Sequence, residues 1–173
     1  MSPRARFASA VAKAATWASR ASGRGAGGMI GGLIAQKLDP GILGQLGGGR
    51  PAVIVTGTNG KPTTTRMLAA ALRAAGQSVA TNDGGDNMDA GVISALMASP
   101  GADSLLLEVD ELHVAHISAD LKPRALVLLN LSRDQLDRVG EINKIEASLR
   151  AAVDANPQAT IVANCDDPLI ASA

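Results

Sequence analysis

The 173-residue sequence contains no tyrosine, and its only phenyl and indole rings are those of Phe7 and Trp17. A protein that binds single-stranded nucleic acid by stacking bases on rows of aromatic side chains is therefore not expected. The formal net charge is zero, so no overall field favours nucleic acid or an anionic membrane. The single cysteine, Cys165, excludes an internal disulfide framework and fits a reducing compartment. No run of about 18 apolar residues occurs, so no transmembrane segment is predicted.

Acidic residues are also missing from the first 38 positions, where basic residues recur among alanine and serine. Lys13 interrupts the continuous apolar segment that a signal peptide requires. The apolar residues of this region fall on one helical stripe, formed by Phe7, Val11, Ala14 and Ala18. This spacing favours an integral helix, from about Pro3 to Arg20, over a cleaved signal.

A glycine-rich stretch, residues 23–32, follows this helix. Gly23, Gly25 and Gly28 satisfy the dinucleotide-binding pattern G-x-G-x-x-G, but no strand precedes them, so the strand-to-helix turn behind that pattern is missing. The glycine pairs at a spacing of four residues lack the long apolar segment in which such pairs join transmembrane helices. We interpret the stretch as a connector and predict that residues 1–50 form an N-terminal helix and a glycine-rich connector.

From Pro51 onward, short apolar runs alternate with helical patterns. Five β-type runs are visible, at residues 52–56, 78–81, 104–109, 125–130 and 160–164. Helices are predicted between them, at about Thr63–Ala75, Asp89–Ala98 and Ile142–Asp154. Strands alternating with helices predict an α/β fold with a parallel sheet and flanking helices. Residues 51–173 are predicted to form this second part of the chain.

The segment VIVTGTNGKPTTT, residues 53–65, carries the strongest functional signal. A strand leads into a turn containing Gly57 and Gly60, and a helix follows with Lys61 at the junction. Such a turn points backbone N–H groups and a helix N-terminus at an anion, while the lysine reaches terminal phosphates. The strict Walker pattern is not met, because Pro62 replaces its final hydroxyl residue and supplies neither a hydroxyl nor an N–H group. We therefore predict a folded loop with weakened Mg·ATP binding.

A carboxylate, Glu108, ends the apolar run at residues 105–107. An acidic residue at the end of a strand is commonly just solvated. Ligands of open parallel sheets, however, collect at the carboxyl ends of the strands, where a carboxylate can hold Mg²⁺ beside phosphates. Because Glu108 follows a phosphate loop in chain order, we favour the metal-binding interpretation.

These motifs resemble a known family. TGTNGK, residues 56–61, is similar to the nucleotide loop of Mur ligases and folylpolyglutamate synthases, which use ATP to activate a carboxylate as an acyl phosphate. LLLEVDE (105–111) and DQLDR (134–138) look like the MurT branch of the Mur ligases, with Gln135 where most Mur ligases have a metal-binding histidine. The resemblance implies ATP and Mg²⁺ as cofactors, and Glu108 and Thr63 as metal ligands. It implies these nucleotide-binding residues: Gly57, Thr58, Asn59, Gly60, Lys61, Thr63, Thr64 and Asn87.

The resemblance to the MurT branch also implies a substrate and a partner. The expected role is that of the ligase subunit in a heterodimer with a GatD-like glutamine amidotransferase, which supplies ammonia to amidate the D-glutamate carboxyl of lipid II. The expected location is the cytoplasm, at the inner face of the cytoplasmic membrane. The chain resembles a truncated P-loop-type Mur ligase central domain, which we expect to be inactive alone. A noncatalytic nucleotide-binding or interaction module remains an alternative, as does a folylpolyglutamate- or MurE-type amino-acid ligase.

Two weaker signals are given structural interpretations. His113 and His116 are three residues apart without a third ligand nearby in sequence, so they are interpreted as solvated surface histidines. Cys165 is interpreted as a small core residue next to a strand, because no base accompanies it. No catalytic residue is assigned from the sequence.

Overall fold

The structure is a computed structural model that describes residues 1–21, 28–82, 86–131 and 139–173. Three helices come first: α1 (Pro3–Ala21), α2 (Gly28–Leu38) and α3 (Ile42–Gly47). Strands and helices then alternate: β1 (Ala52–Thr56), α4 (Lys61–Ala74), β2 (Val79–Thr81), α5 (Asp89–Ala98), β3 (Ser104–Glu108), α6 (Val114–Leu121), β4 (Ala125–Leu128), α7 (Val139–Asp154), β5 (Thr160–Ala163) and α8 (Pro168–Ser172). None of the helices in the described residues is long and apolar enough to cross a membrane.

The five strands form one parallel sheet in the order β2-β3-β1-β4-β5. β1 is the central strand, with Val55 opposite Glu108 of β3 and Thr56 opposite Leu128 of β4. β3 and β4, which come later in the chain, thus lie on opposite sides of β1. The carboxyl ends of β3, β1 and β4 are adjacent at one edge of the sheet. This confirms the predicted α/β class and places the predicted phosphate loop at the middle of that edge.

Burial follows strand position. Every residue of β3 is buried, as its nearly continuous apolar sequence predicts for an interior parallel strand. The larger core cluster joins one face of the sheet to helices on that side and includes Ala5, Ala8 and Ala12 of α1. A smaller cluster, in which Ala69 of α4 packs against β1 and β3, covers the other face. β5 differs, because all four of its residues are exposed at the edge of the sheet.

The predicted glycine connector is wrong where the structure describes it, because residues 28–32 begin α2. Gly31 and Gly32 are contact points between helices. A Cβ on Gly31 would lie 2.3 Å from Thr16 Oγ1 of α1, and one on Gly32 would lie 1.8 Å from the Ala90 carbonyl oxygen of α5. Glycine therefore allows α2 to approach the Thr16 side chain of α1 and the backbone of α5 closely. Residues 23–27 of the predicted connector lie outside the described residues.

The first helix is confirmed in extent but its predicted apolar stripe is wrong. The buried face of α1 consists of Ala5, Ala8 and Ala12, whereas Phe7 is 64% exposed. The three buried alanines lie on a different face of the helix from Phe7. The expectation that Cys165 is a core residue is also wrong, since the turn after β5 leaves it exposed.

Candidate functional site at the carboxyl edge of the sheet

The loop between β1 and α4 begins and ends with glycines in backbone conformations that other residues rarely adopt. Gly57 has φ of 136° and Gly60 has φ of 87°. A Cβ on Gly57 would lie 2.9 Å from the backbone nitrogen of Asn130 and 2.9 Å from Leu129 Cβ, so the loop also packs directly against the end of β4. Both the turn and this close approach require glycine at position 57.

Asn130, which follows β4, holds the loop in place. Its carbonyl oxygen accepts a hydrogen bond from the Thr58 N–H at 2.8 Å. Its side chain accepts from the Asn59 N–H at 2.9 Å and donates to the Asn59 carbonyl at 3.0 Å. These three hydrogen bonds fix the loop to the end of the neighbouring strand.

Lys61 is the first residue of α4, and only 8% of it is exposed. Its ammonium donates to the Gly57 carbonyl at 2.5 Å and lies 3.3 Å from the Glu111 carboxylate, which is also buried. The lysine side chain thus folds back along the inside of the loop. A buried ammonium needs such partners to offset its loss of hydration.

Glu108 ends β3 beside this loop and is 1% exposed. Asn82, at the end of β2, accepts from the Glu108 N–H at 2.9 Å and donates to the Glu108 carbonyl at 2.7 Å. The side-chain amide of Asn82 therefore extends the hydrogen bonding between β2 and β3 by one residue. It fixes the backbone from which the Glu108 carboxylate projects.

The beginning of α4 carries the remaining predicted loop residues. Pro62 occupies the first turn, where its fixed φ is compatible with a helix. Thr63 is exposed, and the Thr64 N–H donates to the Gly60 carbonyl at 2.9 Å. The predicted ligands Thr63 and Glu108 thus differ in environment, one exposed and one buried, and their joint metal binding stays a prediction.

Asn87, the remaining predicted nucleotide-binding residue, lies further along the edge. It follows β2, which is separated from β1 by β3, and its carbonyl accepts the Asp110 N–H at 2.9 Å. Its role in nucleotide binding stays a prediction. Asp134 and Gln135, at the position that resembles a metal-binding motif, lie outside the described residues.

A cleft of about 380 Å³ opens next to the loop. Its walls come from the loop and from the ends of β4 and β5, and include Asn59, Gly60, Asn130 and Asn164. This volume is within the range of small-molecule sites. A larger cavity, about 480 Å³, lies between α1 and α5 and is lined by Trp17 and Lys13. We assign the smaller cleft to the loop because it alone of these two borders Gly60.

His116 is exposed, as interpreted from the sequence, and His113 is half-buried, but both imidazoles contact the same carboxylate. His113 Nδ1 lies 3.1 Å from Asp89 Oδ1, and His116 Nε2 lies 2.7 Å from the same oxygen. Burial raises the pKa of Asp89, but hydrogen bonds from His116, Gln36 and His113 together outweigh this effect and leave the pKa below its ordinary value. The histidines therefore form a polar cluster with Asp89, which lies 24 positions before His113 in the sequence.

Comparison with known proteins agrees with this geometry. Residues 55–173 match the Mur ligase middle domain. The chain belongs to the Mur ligase family. The match begins within β1 and includes the loop, the end of β3 and all later elements of the sheet.

Two relatives and one solved structure are similar to this Mur ligase chain. The MurT subunit of the glutamine-hydrolysing lipid II isoglutaminyl synthase from Streptococcus pneumoniae is 35% identical over 84% of this chain and 33% of its own length. The same subunit from Staphylococcus aureus is 33% identical over 92% of this chain and 37% of its own. The chain thus spans about a third of these relatives. MurF from Acinetobacter baumannii shares the fold with a TM-score of 0.57, at 17% identity, over 74% of this chain and 34% of its own.

Sequence reasoning about this Mur ligase missed the residues that support the loop. Asn130 is the last residue of one β-type run and Asn82 directly follows another, and an asparagine at a strand end is a signal that its amide can bond to a neighbouring strand. The contact between Glu111 and Lys61 joins residues 50 positions apart, and no local pattern indicates it.

Proposed function

We propose that this chain is the nucleotide-binding part of an ATP-dependent carbon–nitrogen ligase of peptidoglycan synthesis. The observation that carries the proposal is the loop at the end of β1, with Gly57 and Gly60 at positive φ and Lys61 at the start of α4. Mur ligase membership and similarity to MurT subunits support the reaction class.

The residues present fit a bound polyphosphate. Glycine at positions 57 and 60 leaves the loop without side chains that would block approach to its backbone. The first-turn N–H groups of α4 have no partners within the helix, and the positive end of its dipole faces the loop. Lys61 supplies a cation there, and phosphate oxygens would replace Glu111 as its partner. The adjacent cleft, of about 380 Å³, provides room for the rest of the nucleotide.

Glu108 and Thr63 are the proposed Mg²⁺ ligands, because both supply the oxygen donors that this cation prefers. Bound Mg²⁺ would neutralise charge that develops on the phosphates during phosphoryl transfer. The protein residues then have two tasks. Lys61 and the loop orient the terminal phosphate, and Asn82 keeps the Glu108 backbone in position.

The proposed acceptor is the D-glutamate carboxyl of lipid II, activated as an acyl phosphate and then amidated by ammonia. The proposed source of ammonia is a GatD-like glutamine amidotransferase bound as a heterodimer in the cytoplasm, at the inner membrane face. Similarity to MurT subunits, named for the glutamine-hydrolysing lipid II isoglutaminyl synthase, supports this assignment. In this proposal residues 51–173 bind the nucleotide, and residues 1–50 support the sheet through α1–α3.

The test is a calorimetric titration of ATP, with and without Mg²⁺, against the protein and its Pro62→Thr variant. We expect weak binding by the protein and tighter Mg²⁺-dependent binding by the variant, because threonine restores a hydroxyl and an N–H group. Lys61→Met is the negative control. Absence of ATP binding to both the protein and Pro62→Thr, or binding that Lys61→Met leaves unchanged, would count against the nucleotide site.

One observation favours a second candidate, a noncatalytic nucleotide-binding module. Pro62 stands where a phosphate loop ordinarily supplies a hydroxyl to Mg²⁺. A protein of this kind would bind ATP without Mg²⁺ dependence, and the Pro62→Thr variant would gain that dependence. In the ligase proposal, Glu108 and Thr63 still bind Mg²⁺, so Mg²⁺ should raise the weak ATP affinity of the unchanged protein. In the noncatalytic alternative, Mg²⁺ should leave that affinity unchanged.

A further inference from the structure

The sequence has two histidines, and the structure brings both to one carboxylate. His113 immediately precedes α6, and His116 is in its first turn, so a spacing of three residues puts them on the same side of the helix. Asp89 is the first residue of α5. One nitrogen from each ring and one carboxylate oxygen lie within 4.8 Å of one another.

The carboxylate is held in this orientation by a fourth residue. Gln36 of α2 donates to Asp89 Oδ2 at 3.1 Å, which leaves Oδ1 directed at the two imidazoles. Asp89 is mostly buried, with 19% of its side chain exposed, whereas His116 has 52% exposed. The cluster thus has a fixed inner side and an outer side that is open to solvent.

We propose that Asp89, His113 and His116 form a binding site for a divalent transition-metal ion, with Zn²⁺ as the best match. Two imidazole nitrogens and one carboxylate oxygen are a known three-ligand set for Zn²⁺, which leaves the fourth tetrahedral position for water. Ligand distances of about 2.0–2.2 Å place neighbouring donor atoms about 3.3–3.6 Å apart in a tetrahedral site. The contacts of 3.1 Å and 2.7 Å between the histidines and Asp89 would open slightly to accommodate the ion. Gln36 plays the part of the outer hydrogen-bond partner that orients a ligating group.

This site lies outside the phosphate loop, on the segment after β3 that also carries Glu111. His113 follows Glu111 by two residues, and the His113 N–H donates to the Asp110 carbonyl at 3.0 Å. The Asp110 N–H in turn donates to the Asn87 carbonyl at 2.9 Å. A metal ion would therefore join the start of α5 to the start of α6 and stiffen the turn that carries Glu111.

The test uses tag-free protein and Co²⁺, whose visible absorption reports tetrahedral ligation, followed by displacement with Zn²⁺. We expect saturable binding of one ion per chain. Each of His113→Gln, His116→Gln and Asp89→Asn should weaken binding at least tenfold, and Gln36→Ala should weaken it about tenfold, as loss of an orienting partner does elsewhere. Cys165→Ser is the matched control, because Cys165 is an exposed potential ligand outside the cluster.

Folding of each variant is checked by circular dichroism, and the exposed position of His116 makes His116→Gln the variant least able to disturb the fold. Loss of binding in this variant with an unchanged spectrum supports the site. The proposal is overturned if no saturable binding occurs, if binding survives the histidine substitutions, or if Cys165→Ser abolishes it. In the first case the three residues form a hydrogen-bonded cluster only.

Discussion

Replacing Gly32 by alanine tests how closely α2 packs against α5. The new methyl carbon would lie 1.8 Å from the Ala90 carbonyl oxygen and 2.5 Å from the carbonyl carbon, where real Cβ atoms stay at least 3.0 Å away. Both obstacles are backbone atoms, so no side-chain rotation relieves the clash. The helices must separate by about 1.2 Å, the difference between 3.0 Å and 1.8 Å.

The magnitude follows from three contributions. Overpacking of this kind costs about 1–3 kcal/mol. Separation also weakens the hydrogen bond from the Gly32 N–H to Ser94 Oγ, 2.9 Å long, at a cost of about 1 kcal/mol. Alanine regains about 1 kcal/mol through its greater helix propensity. We therefore expect a net loss of about 1–3 kcal/mol in the free energy of unfolding, because the last two contributions nearly cancel.

The assay is urea unfolding followed by circular dichroism, with Gly101→Ala as control. No heavy atom lies within 4 Å of the position that a Cβ on Gly101 would take, so its stability should change by less than about 1 kcal/mol. For a chain of this size, the expected loss in Gly32→Ala corresponds to a Tm lower by about 2–12 °C. Equal stability of Gly32→Ala and the unchanged protein would refute the backbone-distance contact between α2 and α5.

Three further predictions concern the loop and one surface carboxylate. Glu111→Gln removes the charge that competes with phosphate for Lys61. ATP should therefore raise the Tm of this variant more than that of the unchanged protein in scanning fluorimetry, and an equal rise would contradict the competition. Asn130→Ala removes two side-chain hydrogen bonds to the loop, which should weaken ATP binding about tenfold in calorimetry; unchanged affinity would show that the loop holds its shape without them. Hydrogen bonds from the Ser78 side chain and backbone lower the pKa of Asp103. The ionised carboxylate therefore stabilises the folded state, and this contribution is lost as pH falls through the folded-state pKa. Ser78→Ala should raise that pKa in an NMR titration, and an unchanged value would contradict the assigned cause.

The parallel sheet and the position of the loop could be predicted because both depend on local patterns. The run at residues 105–107 reads as an interior strand, since both of its faces are apolar, and the glycines at 57 and 60 mark a turn between strand and helix. In a parallel sheet the chain direction alone then places the loop and Glu108 at the same edge. The fold class was therefore accessible without any knowledge of tertiary contacts.

The errors arose where packing depends on a partner that the sequence does not identify. Gly31 and Gly32 look like a flexible connector, yet their lack of side chains serves contact with α1 and α5. Phe7 looks like a core residue, yet α1 buries the face that carries Ala5, Ala8 and Ala12 and leaves Phe7 exposed. His113 and His116 lack a third ligand in local sequence, and Asp89 becomes their neighbour only when the fold brings the first turns of α5 and α6 together.

The central position of β1 has a consequence for folding during synthesis. Both strands that flank β1 come later in the chain, and Asn59 lies 71 residues before Asn130, which anchors its loop. At about 5–20 residues per second, the ribosome would complete that anchor about 4–14 seconds after the loop itself. Until β3 has been synthesised, β1 is an apolar segment without strand partners, and β4 follows later still. We therefore expect chaperones to engage the nascent chain at this segment, before the phosphate loop acquires its shape.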